Sequence, residues 1–217
     1  DEAHRDIYIA DDVYELEIKH LFRNTWIYVG HASQIPNKGD YYTTTIADQP
    51  VLMVRHTDNE IHVLYNRCAH RGTKLVTEFH GNTGKTFRCP YHAWTYRTDG
   101  TLLGVPVRDG YEDVSFENSC ASKGMTAVAN VCVYREFVFA KLQDGGIEFE
   151  EFFGDSLSSI DNMIDRSPEG RLEVVGNPLR YMHHCNWKML VENQTDSFHP
   201  MVVHESSAGV VKEIWED

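Results

Sequence analysis

Between Asp40 and Leu142 the sequence is a succession of short runs rich in β-branched and aromatic residues, each cut off by a polar turn. Tyr41–Ile46 and Val51–His56 flank Asp48-Gln49-Pro50, and Ile61–Tyr65 follows Asp58-Asn59. Thr86–Cys89, Thr95–Arg97 and Leu102–Val105 come next, the last two joined by Asp99-Gly100; Val128–Tyr134 and Phe137–Lys141 read as a closing hairpin. Strands at this spacing with polar turns predict a small antiparallel β-sandwich.

Outside this stretch the periodicity becomes helical. Asp12 and Glu15 stand at capping-box spacing ahead of Val13, Leu16, His20 and Leu21, which predicts a helix over 12–23; Trp26–Gly30 reads as a strand. Gly145-Gly146 marks a boundary. Beyond it Phe149, Phe152, Phe153, Leu157, Ile160, Met163 and Ile164 recur at helical spacing and predict a helix over 149–165, ended by Pro168-Glu169-Gly170. Leu172–Val175 and Leu179–His183 read as strands, and a helix is expected from Asn186 to Phe198, stopped by Pro200. The predicted class is α+β: an antiparallel β domain at 40–145, with segments 1–39 and 146–217 forming part of a second, α+β domain.

Charge and composition exclude some functions. The formal net charge is -13 and the pI about 5.3, the wrong sign for a nucleic-acid backbone partner. No stretch reaches the roughly 18–20 apolar residues of a membrane helix, and Asp1 to Ile9 lacks the basic-then-apolar pattern of a leader. Five cysteines, an odd number, point to a reducing compartment and to metal-binding or core thiols, hence a cytoplasmic location. Cys120, Cys132 and Cys185 read as core or incidental thiols.

The other two cysteines are paired with histidines. Cys68-Ala69-His70 and Cys89-Pro90-Tyr91-His92 lie on two loops between predicted strands. With 5 Cys and 12 His in the chain, roughly 0.08 chance occurrences of both pairs together are expected. Two thiolates and two imidazoles satisfy a tetrahedral zinc. They also satisfy a [2Fe–2S] cluster with two Cys on one iron and two His on the other, where neutral imidazole raises the reduction potential.

A second constellation lies near the C-terminal end. Glu192, Asp196 and His199 are spaced i, i+4, i+7 and share one face of a continuous helix. His204 lies beyond Pro200, on a turn or a second helical segment. Two nearby imidazoles plus a carboxylate from elsewhere make the facial triad of a non-haem Fe(II) site.

Asn66-Arg67-Cys68-Ala69-His70-Arg71-Gly72 and Cys89-Pro90-Tyr91-His92-Ala93-Trp94 resemble the cluster loops of Rieske non-haem iron ring-hydroxylating oxygenases, in the N-terminal half of the catalytic (alpha) subunit. The segment from Asn186-Trp187-Lys188 through Glu192-Asn193-Gln194-Thr195-Asp196-Ser197-Phe198-His199 to His204 resembles that family's mononuclear-iron motif. The resemblance implies that Cys68, His70, Cys89 and His92 hold a Rieske [2Fe–2S] cluster and that His199 and His204 ligate a mononuclear Fe(II). It implies that Asp196 bridges an iron-ligand histidine to His92 of a neighbouring subunit. It places the third iron ligand, a carboxylate, beyond Asp217, since Glu205, Glu213, Glu216 and Asp217 do not match the family position. The chain departs from the family at Ala93, where glycine is usual.

The function so implied is that of a terminal oxygenase. Electrons from NAD(P)H arrive through a reductase, with or without a ferredoxin, and serve O2-dependent hydroxylation of a small aromatic, typically cis-dihydroxylation. The implied assembly is a homotrimer of alpha subunits, with or without a beta subunit, and involves no nucleic acid or membrane. A Rieske ferredoxin-like electron carrier is the alternative, and a zinc-stapled binding module a third class. The Asp196, His199 and His204 set discriminates against the carrier, which needs no second iron.

Overall fold

The computed structural model of the chain describes residues 3–111, 124–176, 178–207 and 209. Cys120, Glu213, Glu216 and Asp217 lie outside the described residues. Two compact units are formed: Leu16–Pro178, and the pair of terminal segments Asp1–Glu15 and Leu179–Asp217.

In the larger unit the described residues form antiparallel strands in three sheets. These strands are β1 (Ile27–His31), β2 (Asp40–Ile46), β3 (Gln49–Arg55), β4 (Ile61–Tyr65), β5 (His80–Asn82), β6 (Thr86–Arg88), β7 (Thr95–Arg97), β8 (Leu102–Gly104), β9 (Asn130–Tyr134) and β10 (Phe137–Lys141). The sheet orders are β1-β10-β9, β4-β3-β2-β5 and β6-β7-β8. With the helices below, this is the expected α+β class built on antiparallel sheets.

Strand β3 shows how the pattern positions the site. Val51, Leu52, Met53 and Val54 are all buried. Successive strand side chains point to opposite faces, so Leu52 and Val54 enter one core while Val51 and Met53 enter another. The first core contains Cys68, Cys89, Trp94 and Tyr96, so the strand register seats both Cys/His loops. Each such aliphatic side chain buried contributes about 1.5–3 kcal/mol. The support under the loops is therefore made of ordinary apolar packing.

A third core joins Trp26, Phe139 and Phe149. The buried Lys141 closes it: Nζ donates to Gly145 O (2.6 Å) and Ile147 O (2.9 Å) and sits 5.0 Å from the Trp26 ring centre. The Trp26 indole N–H donates to the same Ile147 carbonyl at 3.1 Å. A lone buried ammonium is costly unless its protons are satisfied, and the two carbonyls and the ring face do this.

Several expectations need correction. The helix over 149–165 is two helices, α3 (Phe149–Phe153) and α4 (Leu157–Asp165), parted at Gly154, whose φ of +47° ends α3. The helix over 12–23 is α-helical only from Asp11 to Glu17 (α2, preceded by α1, Asp6–Ile9) and continues as a π-helical turn, Ile18–Phe22. Residues 172–175 and 179–183 form no strand; a strand exists only when another lies beside it. Strand β5 was not expected, because His80-Gly81-Asn82 has no apolar alternation. It pairs with β2, Gly81 lying opposite Tyr41, where an added Cβ would stand 2.7 Å from the tyrosine hydroxyl.

The helix expected from Asn186 to Phe198 is also shorter. Helix α5 runs over Trp187–Thr195, capped by Asn186, whose side chain accepts from Lys188 N; it stops where Asp196 turns extended (φ -73°, ψ 110°). A separate short helix, α6 (His199–Val203), follows. Glu192, Asp196 and His199 therefore do not share a continuous helix face. Pro200 does not stop a helix but stands in the first turn of α6, where its missing N–H costs nothing. Among the described residues, no helix is long and apolar enough to cross a membrane.

Candidate metal centres

The two Cys/His loops have the same backbone closure. Cys68 N donates to Thr73 O and Gly72 N to Cys68 O, both at 2.8 Å; Cys89 N donates to Trp94 O at 2.8 Å and Ala93 N to Cys89 O at 3.0 Å. Gly72 and Ala93 thus occupy equivalent places, four residues after each cysteine, and both have positive φ, +70° and +56°. Thr95 Oγ1 donates to Ala93 O at 3.1 Å and helps hold the second turn. The alanine tolerates the glycine conformation at a steric cost of about 1–2 kcal/mol. Glycine would remove that cost and add some backbone entropy to the unfolded chain. Ala93→Gly is therefore expected to stabilise the larger unit by about 0.5–1 kcal/mol. A urea midpoint equal to or below that of the parent chain would contradict this.

At the loop tips the donors come in pairs. The Cys68 and Cys89 thiols are both buried in the first core. The imidazoles of His70 and His92 lie 4.9 Å apart between ring centres. Burial pushes the Cys68 thiol pKa up, against the pull of the Tyr96 hydroxyl and the His70 N–H, which favour the thiolate. The His70 pKa is lowered, first by burial and then by the charges of His92 and Arg71, which favours the neutral, ligating form. The Nδ1 of His92 is buried with no hydrogen-bond partner among the described residues. A buried ring nitrogen in that state is costly unless a ligand takes it.

Two neighbours fix the pairs. Trp94, fully buried, stacks flat on His70, with ring centres 4.8 Å apart and planes 2° from parallel. Tyr96 Oη lies 3.0 Å from Cys68 Sγ and accepts the Ala69 N–H at 3.1 Å. A thiolate has no proton, so in that state only Tyr96 can donate across the first contact. Burial and this bond raise the Tyr96 pKa and keep it a donor. Sequence reasoning missed Tyr96. The available signal was the period-two run Trp94, Tyr96, Thr98, all buried, since a buried tyrosine hydroxyl seeks a partner.

The second histidine pair stands on α6: His199 opens the helix, and His204 caps its end. Their ring centres are 5.6 Å apart. Asp196 turns both carboxylate oxygens to use. Oδ1 accepts from Phe198 N (2.8 Å) and His199 N (3.3 Å), while Oδ2 faces His199 Nδ1 at 3.6 Å, an ion-pair separation. The two backbone N–H groups, then the nearby imidazole, hold the Asp196 pKa below the usual carboxylate value. With Nδ1 facing the carboxylate, Nε2 is the ring nitrogen left for a metal. Among the described residues, no three Cys, His, Asp or Glu side chains are grouped to hold a single metal ion. Of the remaining thiols, Cys132 packs half-buried against the third core and Cys185 is exposed.

The sheets and the paired donors define a small antiparallel β domain that brings two cysteines and two histidines together at two loop tips. The chain belongs to the Rieske [2Fe–2S] domain family, whose model matches residues 25–134. It is 41% identical over 202 residues to the toluate 1,2-dioxygenase alpha subunit of Pseudomonas putida, covering 92% of this chain and 44% of that protein. It is 37% identical over 210 residues to the anthranilate 1,2-dioxygenase large subunit of Acinetobacter baylyi, covering 96% of this chain and 43% of that protein. The chain thus spans under half the length of these curated relatives. In three dimensions it is similar to naphthalene 1,2-dioxygenase from Rhodococcus sp. bound to indole, with a TM-score of 0.80 at 33% identity, covering 90% of this chain and 44% of the other.

Proposed function

We propose that this chain is the electron-receiving and iron-holding part of a terminal oxygenase. In this reading a Rieske domain at 40–145 is set into flanking segments, 1–39 and 146–217, of a catalytic domain. Cys68 and Cys89 hold one iron of a [2Fe–2S] cluster, and His70 and His92 the other. His199 and His204 hold a mononuclear Fe(II), with a third ligand beyond Asp217. The observation that carries the reading is the coexistence, in one Rieske-family chain, of the Cys68–Cys89 and His70–His92 pairs with a second histidine pair, one ring of which, His199, faces a carboxylate.

When bound, the cluster would supply one-electron transfer and the mononuclear iron dioxygen activation. The chain's own residues prepare both sites. Trp94 sets the plane of His70. Tyr96 stabilises negative charge on the Cys68 sulfur. Asp196 orients His199 so that Nε2 is presented. Across a subunit boundary the same carboxylate would meet His92 of a neighbour, which makes a homotrimer of alpha subunits, with or without a beta subunit, the working form. The electron source is NAD(P)H through a separate reductase, directly or by way of a ferredoxin, the location cytoplasmic, and the substrate a small aromatic, in keeping with relatives named for toluate and anthranilate. The reaction is hydroxylation, typically cis-dihydroxylation.

Metal and sulfide analysis of the full-length subunit tests this directly. The expected content is about three iron and two acid-labile sulfide per chain. About two of each would identify an electron carrier, and zinc without sulfide a structural knuckle. A finer test concerns Tyr96. Losing a hydrogen bond worth about 1–2 kcal/mol to the charged sulfur corresponds to roughly 40–90 mV in a one-electron couple. Because the bond strengthens as the sulfur becomes more negative, Tyr96→Phe is expected to lower the cluster's midpoint potential by up to that amount. A redox titration monitored by EPR that gives an unchanged midpoint would remove this role.

A further inference from the structure

Helix α5, which leads into Asp196 and the histidine pair, spans only Trp187–Thr195 and has no buried residue. Isolated helices of this length are marginal in water, so its position must be imposed by contacts with other parts of the chain. Two such contacts come from a single residue of the N-terminal helix α1. The Tyr8 carbonyl accepts from Asn186 Nδ2 at 3.1 Å, and the Tyr8 hydroxyl donates to Glu192 Oε1. Asn186 is the N-cap of α5 and Glu192 lies six residues on, a rise of about 9 Å along the axis. One tyrosine laid along the helix therefore holds its beginning by the backbone and its last turn by the side chain. Glu192 is one turn ahead of Asp196, and the Asp196 N–H donates to the Glu192 carbonyl at 2.9 Å. The grip is thus transmitted to the carboxylate that faces His199.

From this we infer that Tyr8, at the far end of the sequence, is a positioning residue for the mononuclear iron site, acting through Glu192 and α5 on Asp196 and His199. The inference rests on the reading of His199 and His204 as iron ligands given above. Tyr8 touches neither metal nor substrate; its role is to keep the turn between α5 and α6 in one conformation.

The test uses the full-length subunit, with the mononuclear site emptied by chelation and retitrated with ferrous iron. Affinity is read from iron bound, and geometry from the EPR of the ferrous site treated with nitric oxide. Tyr8→Phe keeps the carbonyl contact and removes only the hydroxyl. It is expected to weaken ferrous binding by roughly three- to tenfold, less than the roughly 10–100-fold typical of a direct partner of a ligand, and to broaden the nitrosyl signal. Glu192→Ala should do the same, and the double variant no more than either alone. Glu192→Gln keeps an acceptor oxygen for the tyrosine and should recover most of the loss. Cluster absorbance should stay unchanged in all four variants. Iron affinity within twofold of the parent in both Tyr8→Phe and Glu192→Ala, or fully additive losses, would overturn the clamp while leaving the iron site standing. A parent subunit that binds no iron beyond its cluster would overturn both.

Discussion

Replacing His92 with alanine is expected to leave the full-length subunit folded but without its [2Fe–2S] cluster, and oxygenase turnover to fall at least about a hundredfold. The fold should survive because the loop is closed by its own backbone bonds, Cys89 N to Trp94 O and Ala93 N to Cys89 O, and seated on a core of Leu52, Val54, Leu64, Phe87 and Trp94. None of these needs the imidazole. The cluster should be lost because His92 presents a buried ring nitrogen that no other described group satisfies. Visible absorbance and sulfide content report the cluster, and far-UV circular dichroism the fold. His92→Cys supplies a fourth thiolate and is expected to rebuild a cluster of lower potential, since the added negative charge opposes reduction. Parental sulfide content in His92→Ala would remove this residue from the ligand set.

The second large effect belongs to Asp196. Loaded with saturating ferrous iron, since its mononuclear site should bind roughly 10–100-fold more weakly, Asp196→Ala is expected to hold both metals yet slow electron transfer from the cluster to the mononuclear site by two orders of magnitude or more. An outer carboxylate both orients a ligand and supplies the short polar path. The two oxygens do different work, which separates the causes. Oδ1 caps the turn into α6 through Phe198 N and His199 N, whereas Oδ2 faces His199 Nδ1. Asp196→Asn keeps an oxygen for the cap and replaces the charged partner of His199. It should therefore keep the turn into α6, lose less iron affinity than the alanine variant, and in iron-loaded protein still transfer electrons slowly. Chemically reduced protein mixed with oxygen in a single turnover measures the step. Parental rates in the asparagine variant would show that Asp196 shapes the turn but does not link the centres.

The departure at Ala93 shows how residue identity and conformation can part. The two loops share one pattern of backbone bonds, and the second adopts the left-handed turn that glycine takes in the first, although it carries a methyl group. The bonds across the turn outweigh a modest steric penalty. The break in the iron-motif segment has the opposite origin. Asp196, Ser197 and Phe198 were read as helix from spacing, but an aspartate that bonds backbone N–H groups two and three residues ahead competes with helix continuation. A side-chain cap therefore overrode the periodicity.

What the sequence alone determined was local chemistry. The two Cys/His loops, the Asp196, His199 and His204 set and most strand positions were legible because each rests on residues within a few positions of one another, where spacing translates directly into geometry. Tertiary structure decided the rest. Tyr96 meets Cys68 across 28 residues and Tyr8 meets Glu192 across 184; His80-Gly81-Asn82 becomes a strand by pairing with β2. The physical reason is that such contacts depend on which surfaces the folded chain brings together, and side-chain periodicity within one segment carries no information about its partner.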